Sequence, residues 1–297
     1  MNGEEDLLDA AFLDHLRRLA VQVRRRRRQR KQGARQTPSS GHTREFKDHR
    51  HYARGDDVRS IDWRLYARLD RLFVRVFEEV QELQVQVVVD ASASMVLHPG
   101  KRREALRIAA GVGYLALAGG HRLALHRLDG AGLVREMPPS RGQGHVLPML
   151  DRLRRMPFAG VADLAAVARL RGVDRRGLVV LVTDGYGADP AATLEQLRPL
   201  RAWPAEAHLV LIADPGEDCP GAEGELSLVD AETGAERRLW LSKDDLDRYR
   251  RRLADWRDEV VGTCHGWGVG ARLWRTDALF ADQFSAFLES GVALGSA

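Results

Sequence analysis

The sequence predicts an α/β protein: an open, mainly parallel sheet flanked by helices, preceded by an N-terminal helix and an Arg/Asp-rich segment. Three observations predict it. From residue 83 onward, apolar runs of strand length alternate with helical periodicities, the pattern of a parallel sheet covered on both faces. Two runs, Val87-Val88-Val89 and Leu178-Val179-Val180-Leu181-Val182, are uninterrupted, as doubly buried strands read. The 297 residues are 44% apolar and 30% charged, enough for a sizeable core and unlike a disordered chain.

Each element has its own signal. Residues 7–23 carry apolar side chains at 8, 12, 13, 16, 19, 20 and 23, an amphipathic helix. Residues 32–42 turn to Gly, Pro, Ser and Thr, a linker. Residues 45–71 are dense in Arg, Asp and aromatics, and 72–80 and 83–90 read as strands. A helix follows over 102–118, then a hairpin pair at 122–129 and 132–137, then helices at 145–155 and 163–170. Residues 177–183 form the second buried strand, followed by a helix at 190–201 and a strand at 208–213. After a Gly/Pro-rich break at 215–224, strands at 226–229 and 237–241 flank a turn over 230–234. A long helix at 243–263, a strand at 270–275 and a helix at 278–290 close the chain. The expected division is 1–40, N-terminal helix and basic linker; 41–80, a segment packing on the main domain; and 81–297, the α/β domain with a hairpin insertion near 214–241.

Composition narrows the function. The longest uncharged apolar stretch, 108–120, has 13 residues, short of the roughly 20 that a membrane span needs. Met1-Asn2-Gly3-Glu4-Glu5-Asp6 is acidic where a secretory signal is basic and then apolar, so a cytoplasmic protein is expected. Two cysteines, Cys219 and Cys264, give no disulfide framework and no paired-Cys metal spacing. His49 and His51 would share a face on a strand, but two ligands are too few for a metal site.

Charge is unevenly placed. Residues 16–50 hold 13 Lys or Arg against two acids, a net of +11 in a chain whose formal charge is +4. The run from Arg24 to Lys31 reads as a nucleic-acid patch in one account and as a solvated helix end in the other. No aromatic lies between Phe12 and Phe46 to stack on bases, which favours the second. Only four of the 46 basic residues are Lys, at 31, 47, 101 and 243.

The sharpest motif is Asp90-Ala91-Ser92-Ala93-Ser94, where a buried strand ends just before a helix. Open α/β sheets bind ligands at the carboxyl ends of their strands. A carboxylate with two hydroxyls there suits a hard divalent cation such as Mg2+. The strand over 177–183 ends in Thr183-Asp184-Gly185 and brings a second acid to the same edge. Alternatively, Ser92 and Ser94 cap the following turn and helix.

This arrangement resembles the metal-ion-dependent adhesion site of von Willebrand factor A-type domains. The resemblance implies Asp90, Ser92, Ser94 and Asp184 as metal ligands, with one position left for a partner's carboxylate. It also implies a threonine from the intervening loop, where this chain has Ala162. An alanine offers no oxygen, so weaker metal affinity or an altered ligand set is expected.

A second motif lies upstream: Glu45-Phe46, Arg50-x-Tyr52, Gly55-Asp56-Asp57-Val58-Arg59, Ile61-Asp62-Trp63, Ala67-Arg68. Its order and its place before the Asp-x-Ser-x-Ser strand resemble the domain of unknown function 58 family, from about residue 41 onward; Arg54 departs from the proline of many members. Interleaved acids and guanidinia can pair bidentately and fix an irregular fold. Arg50, Tyr52, Asp56, Asp57, Arg59, Asp62, Trp63 and Arg68 are therefore expected as a clamp onto the main domain, or as a docking surface.

Enzymatic readings find less support. Ser92 stands where an aspartyl phosphatase needs its general acid. Pro99-Gly100-Lys101-Arg102 lacks the upstream Gly and the Ser/Thr of a phosphate loop. Gly185-Tyr186-Gly187 lacks the third glycine of a dinucleotide turn, and no Gly-x-Ser-x-Gly elbow occurs. The expectation is a non-enzymatic interaction protein. The resemblance implies a MoxR-type AAA+ ATPase as partner, acting in chaperone-like assembly or maturation of client proteins. The alternatives are nucleic-acid binding through Arg24 to Lys31 and, more weakly, a metal-dependent hydrolase on the same acids.

Overall fold

The computed structural model describes residues 9–31, 44–79, 82–172, 177–186, 192–218, 223–231, 234–292 and 294. They fall into two compact units, one of Met1–Gly33 with Leu83–Ala297 and one of Ala34–Glu82. Helix α1 (Ala10–Lys31) belongs to the first.

The smaller unit is an antiparallel pair, β1 (Arg44–His51) with β2 (Phe73–Glu79), joined through a 3-10 turn at Val58–Ser60 and helix α2 (Trp63–Leu69). β1 is absent from the expected elements because Arg-Glu-Phe-Lys-Asp-His-Arg-His has no apolar alternation; pairing with the apolar β2 makes it a strand. Asp62 starts α2 by accepting from the Arg64 and Leu65 amides. Asp70 ends it in the left-handed region at φ 51°. Ile61 bridges to Val74, and both are buried.

The larger unit holds a six-stranded sheet. Its strands are β3 (Gln84–Asp90), β4 (Arg122–Asp129), β5 (Gly132–Arg141), β6 (Gly177–Thr183), β7 (Glu206–Ala213) and β10 (Gly270–Arg275). The order is β10-β7-β6-β3-β4-β5, parallel throughout except for β5, which returns antiparallel to β4. Such a sheet is doubly wound: connections from β3 and from β6 run in opposite directions, opening a crevice between the two strand ends. β8 (Gly224–Val229) and β9 (Glu236–Leu241) form a separate antiparallel hairpin between β7 and the last helices.

Side-chain alternation along β3 builds two cores. Val85, Val87 and Val89 face the first, with α4 (Pro99–Ala118), α5 (Val146–Arg154) and α8 (Phe280–Glu289). Val88 faces the second, with Val179, Leu181, Leu209 and Leu211 beneath α6 (Thr193–Leu197) and α7 (Lys243–Gly266). α7 starts at a capping box: the Ser242 hydroxyl accepts from the Asp245 amide and the Asp245 carboxylate from the Ser242 amide.

Helix α1, whose docking surface the sequence leaves open, packs within the larger unit. Phe12, Leu16, Leu19 and Ala20 are buried in the first core, with Phe12 edge-to-face on Phe280 at 5.2 Å. The backbone helix runs past the apolar stripe through the arginine run to Lys31; the side chains of 22–31 lie outside the description. The helix expected at 163–170 is a 3-10 segment, Leu164–Arg169, capped by Asp163. Within 190–201, α6 gives way to a 3-10 turn at Arg198–Ala202.

Candidate functional site

Asp90 ends β3 and Thr183 ends β6, so both sit at the mouth of the crevice. Val89 is level with Val182, which places Thr183 beside Asp90. The Thr183 hydroxyl donates to Asp90 Oδ2 at 2.6 Å and the Ser92 amide to Oδ1 at 2.9 Å. Ser92 Oγ lies 3.0 Å from Ser94 Oγ. Asp90, Ser92 and Thr183 have no solvent exposure, and Ser94 has little. Burial, and then the negative charge of Asp184, raise the Asp90 carboxyl to about 7, against hydrogen bonds from Thr183 and Ser92. The short helix α3 (Ser94–Leu97) takes no side-chain cap, nor does α4, so the serines serve the carboxylate and each other rather than a helix end.

Asp184, the second acid of the expected ligand set, is committed elsewhere. Its Oδ1 accepts the Tyr186 amide at 3.0 Å, and its Oδ2 lies 2.5 Å from the ammonium of Lys101. Lys101 sits in the first turn of α4 and also donates to Glu217 Oε1 at 2.6 Å. Burial alone would favour the neutral amine, but Asp184 and Glu217 outweigh it and hold the Lys101 pKa above the usual lysine range. The network continues outward. Arg257 of α7 donates to Glu217 Oε2 and to Asp218 Oδ1, each at 2.7 Å, and Arg275 donates to Asp218 Oδ2 at 3.0 Å. Every buried charge at this edge therefore has an opposite charge or several donors against it.

The intervening loop passes close to the exit of β3. The Ala93 amide donates to Gly160 O and the Ala159 amide to Ala91 O. Gly160 stands at φ 73° with its Cα side against Gly130, a conformation and a spacing that suit only glycine. Two residues on, Ala162 is buried in the second core against neighbours such as Leu164. The position that would give a threonine oxygen gives a methyl group instead.

A divalent cation does not fit these residues as the sequence led one to expect. Asp184 has both oxygens engaged, one of them by an ammonium, and Ala162 offers none. Among the described residues no group of three or more His, Cys, Asp or Glu side chains could hold a metal ion. Asp90, Ser92 and Ser94 do come together, while Asp184 joins Lys101.

In the smaller unit the motif residues separate by role. Arg50 and Asp56 form a bidentate pair with both contacts at 2.6 Å, and Asp56 also accepts the Ala53 amide. Asp57 accepts the Arg59 amide, and Asp62 accepts from His49 at 2.9 Å while capping α2. His49 thus serves a carboxylate, and His51 packs on the Phe73 ring at 4.5 Å. The Tyr52 amide donates to Leu72 O. These contacts close within the unit. Arg59, Arg68 and Trp63 are exposed.

Sequence reasoning missed Lys101, Thr183, Glu217 and Arg257 as members of the site. One signal was available: a lysine seven residues after the Asp-x-Ser-x-Ser motif, in a chain that otherwise uses arginine for almost all of its positive charge.

Among solved structures, the chain is similar in outline to BatB from Bacteroides thetaiotaomicron (12% identity, 70% of this chain and 97% of that one, TM-score 0.40). It is similar also to the SpRpn10 VWA domain (8% identity, 73% and 98%, TM-score 0.40). An uncharacterized protein of Mycobacterium tuberculosis, Rv1480, is 35% identical over 236 residues, 76% of this chain and 73% of that protein. The model of the family described as protein of unknown function DUF58 matches residues 48–259, spanning the Arg/Asp-rich segment, the crevice and most of α7, and the chain belongs to that family.

Proposed function

We propose that this protein is a non-enzymatic protein-interaction module that works with a MoxR-type AAA+ ATPase in the chaperone-like assembly or maturation of other proteins. The observation that carries the interaction reading is the surface of α2. Trp63 is 60% exposed and stands edge-to-face with Tyr66, one turn on, at 6.2 Å. Arg64 and Arg68 of the same helix and Arg59 of the turn before it are exposed and have no carboxylate partner among the described residues. Three acids of the segment before and within α2 are engaged inside the unit: Asp56 on Arg50, Asp57 and Asp62 on helix starts. The exposed residues here include Trp, Tyr and Arg, the residue types that dominate binding energy at interfaces.

The sequestered site supports the non-enzymatic part. Asp90 and Ser92 are fully buried, which withdraws that carboxylate and that hydroxyl from a substrate. Family membership supports the choice of ATPase. The test is direct binding of the full-length chain to a purified MoxR-type ATPase by calorimetry, beside a Trp63→Ala variant. Saturable binding that the variant weakens at least tenfold supports the reading. No binding by the wild type, or equal binding by both, overturns it.

A further inference from the structure

We infer that Lys101 is the resident cation of the sheet edge, a buried ammonium that replaces a divalent ion, so that this site is complete without metal. The inference is independent of what the module binds. It starts from charge. Asp184 directly follows β6 and Glu217 lies in the 3-10 turn Pro215–Asp218 after the neighbouring β7, and both side chains are out of solvent. Two carboxylates so placed require a shared cation, and Lys101 supplies it at 2.5 and 2.6 Å.

The residue type fits this task. Ammonium is a compact point charge with three donors, whereas a guanidinium is a wide planar fork. The chain has four lysines among 46 basic residues, and one of them stands at this point, between Asp184 and Glu217. Lys101 Nζ also stands 5.1 Å from the Tyr186 ring, which stacks on Trp256 and closes the site laterally. Gly100 lets the first turn of α4 reach this depth. A Cβ there would meet Asp214 Oδ2 and Thr276 Cβ at 2.9 Å each, the latter rigid, and would push the helix start outward.

The remaining requirements of a metal centre are correspondingly missing. Ala162 is buried as core, and Asp90 draws its hydrogen bonds from Thr183 and Ser92. Lys101 therefore joins α4, β6 and the turn after β7 in the way a shared metal ion would.

The test uses the full-length protein, with MnCl2 and MgCl2 as probes, read by isothermal calorimetry and by melting temperature with and without EDTA. The wild type is expected to give no binding heat and an unchanged melting temperature in millimolar ion. Lys101→Ala leaves Asp184 without its cation and Glu217 with Arg257 alone, and is expected to gain a Mn2+-dependent rise of several degrees that EDTA reverses. Stoichiometric Mn2+ or Mg2+ binding by the wild type, lost in Asp184→Asn, overturns the inference. So does a folded Lys101→Ala that ignores both ions. Should that variant not fold, the wild-type titration alone decides.

Discussion

Lys101 and Asp184 are 83 residues apart, yet ammonium and carboxylate meet at 2.5 Å with side chains 1% and 0% exposed. Removing one partner of such a pair leaves an uncompensated buried charge, which costs about 3–5 kcal/mol. Lys101→Met should therefore lower stability by that amount in urea unfolding. Lys101→Met with Asp184→Asn and Glu217→Gln should recover most of the loss, since no bare charge remains. A loss under about 1 kcal/mol in the single variant would mean that water reaches the pair.

The parts of this site that the sequence shows are those that local pattern dictates. β3 and β6 are legible because strands buried on both faces must be uninterrupted apolar runs, and their terminal acids then lie at the sheet edge by construction. Lys101 is not legible in that way. Its partners lie 83 and 116 residues away, and only the doubly wound order brings the ends of β6 and β7 to the start of α4. β1 is hidden for the opposite reason, since a charged strand borrows its regularity from β2. The apolar period of α1 stops at residue 23 while its backbone continues, because arginine is a good helix former that needs no core. Residues 163–170 have helical composition but form a 3-10 segment, with Asp163 capping its start.

His126 on β4 predicts acid sensitivity. It is buried, its Nε2 donates to Gln86 Oε1 at 3.0 Å, and Gln86 in turn donates to Arg171 O. Burial, and then the charge of Arg135 on the facing strand, lower its pKa to about 4. The unfolded chain takes up this proton near pH 6.5 and the native one does not, so the contribution is whole above pH 6.5 and is lost as pH falls toward 4. About 3 kcal/mol is at stake over that window. His126→Gln, which keeps a donor for Gln86, should flatten this limb of a stability–pH curve measured by urea unfolding. An unchanged limb would assign the acid loss to other groups.

Gly111 faces Phe284 where α4 packs on α8. An added Cβ would lie 2.6 Å from Phe284 Cζ, and that ring is fully buried and stacked on Phe280. Alanine for glycine in a helix gains at most about 1 kcal/mol, whereas overpacking a closed core costs about 1–3 kcal/mol. Gly111→Ala should therefore destabilise, with a lower urea midpoint and an unchanged slope. Gly262 of α7 is the control, because its Cβ would meet nothing within 4 Å. Gly262→Ala should stabilise by up to about 1 kcal/mol. Equal signs for the two substitutions would show that α8 shifts to make room.

Trp63 separates binding from stability. Its ring is mostly in solvent and its described ring contact is Tyr66, so little buried area depends on it. Trp63→Ala should change unfolding stability by no more than about 0.5 kcal/mol, as expected of exposed positions. At an interface the same truncation would cost about 2 kcal/mol or more, because a desolvated indole beside arginines is the typical anchor. Arg68→Ala should lose less, and part of its effect should disappear at high salt, where exposed charges are screened. Calorimetric affinities for the ATPase at low and high salt, set beside urea midpoints for the same variants, make the comparison. A Trp63→Ala chain that is less stable by several kcal/mol would instead place the indole in the packing of the Ala34–Glu82 unit, and α2 would then be a structural helix rather than a docking face.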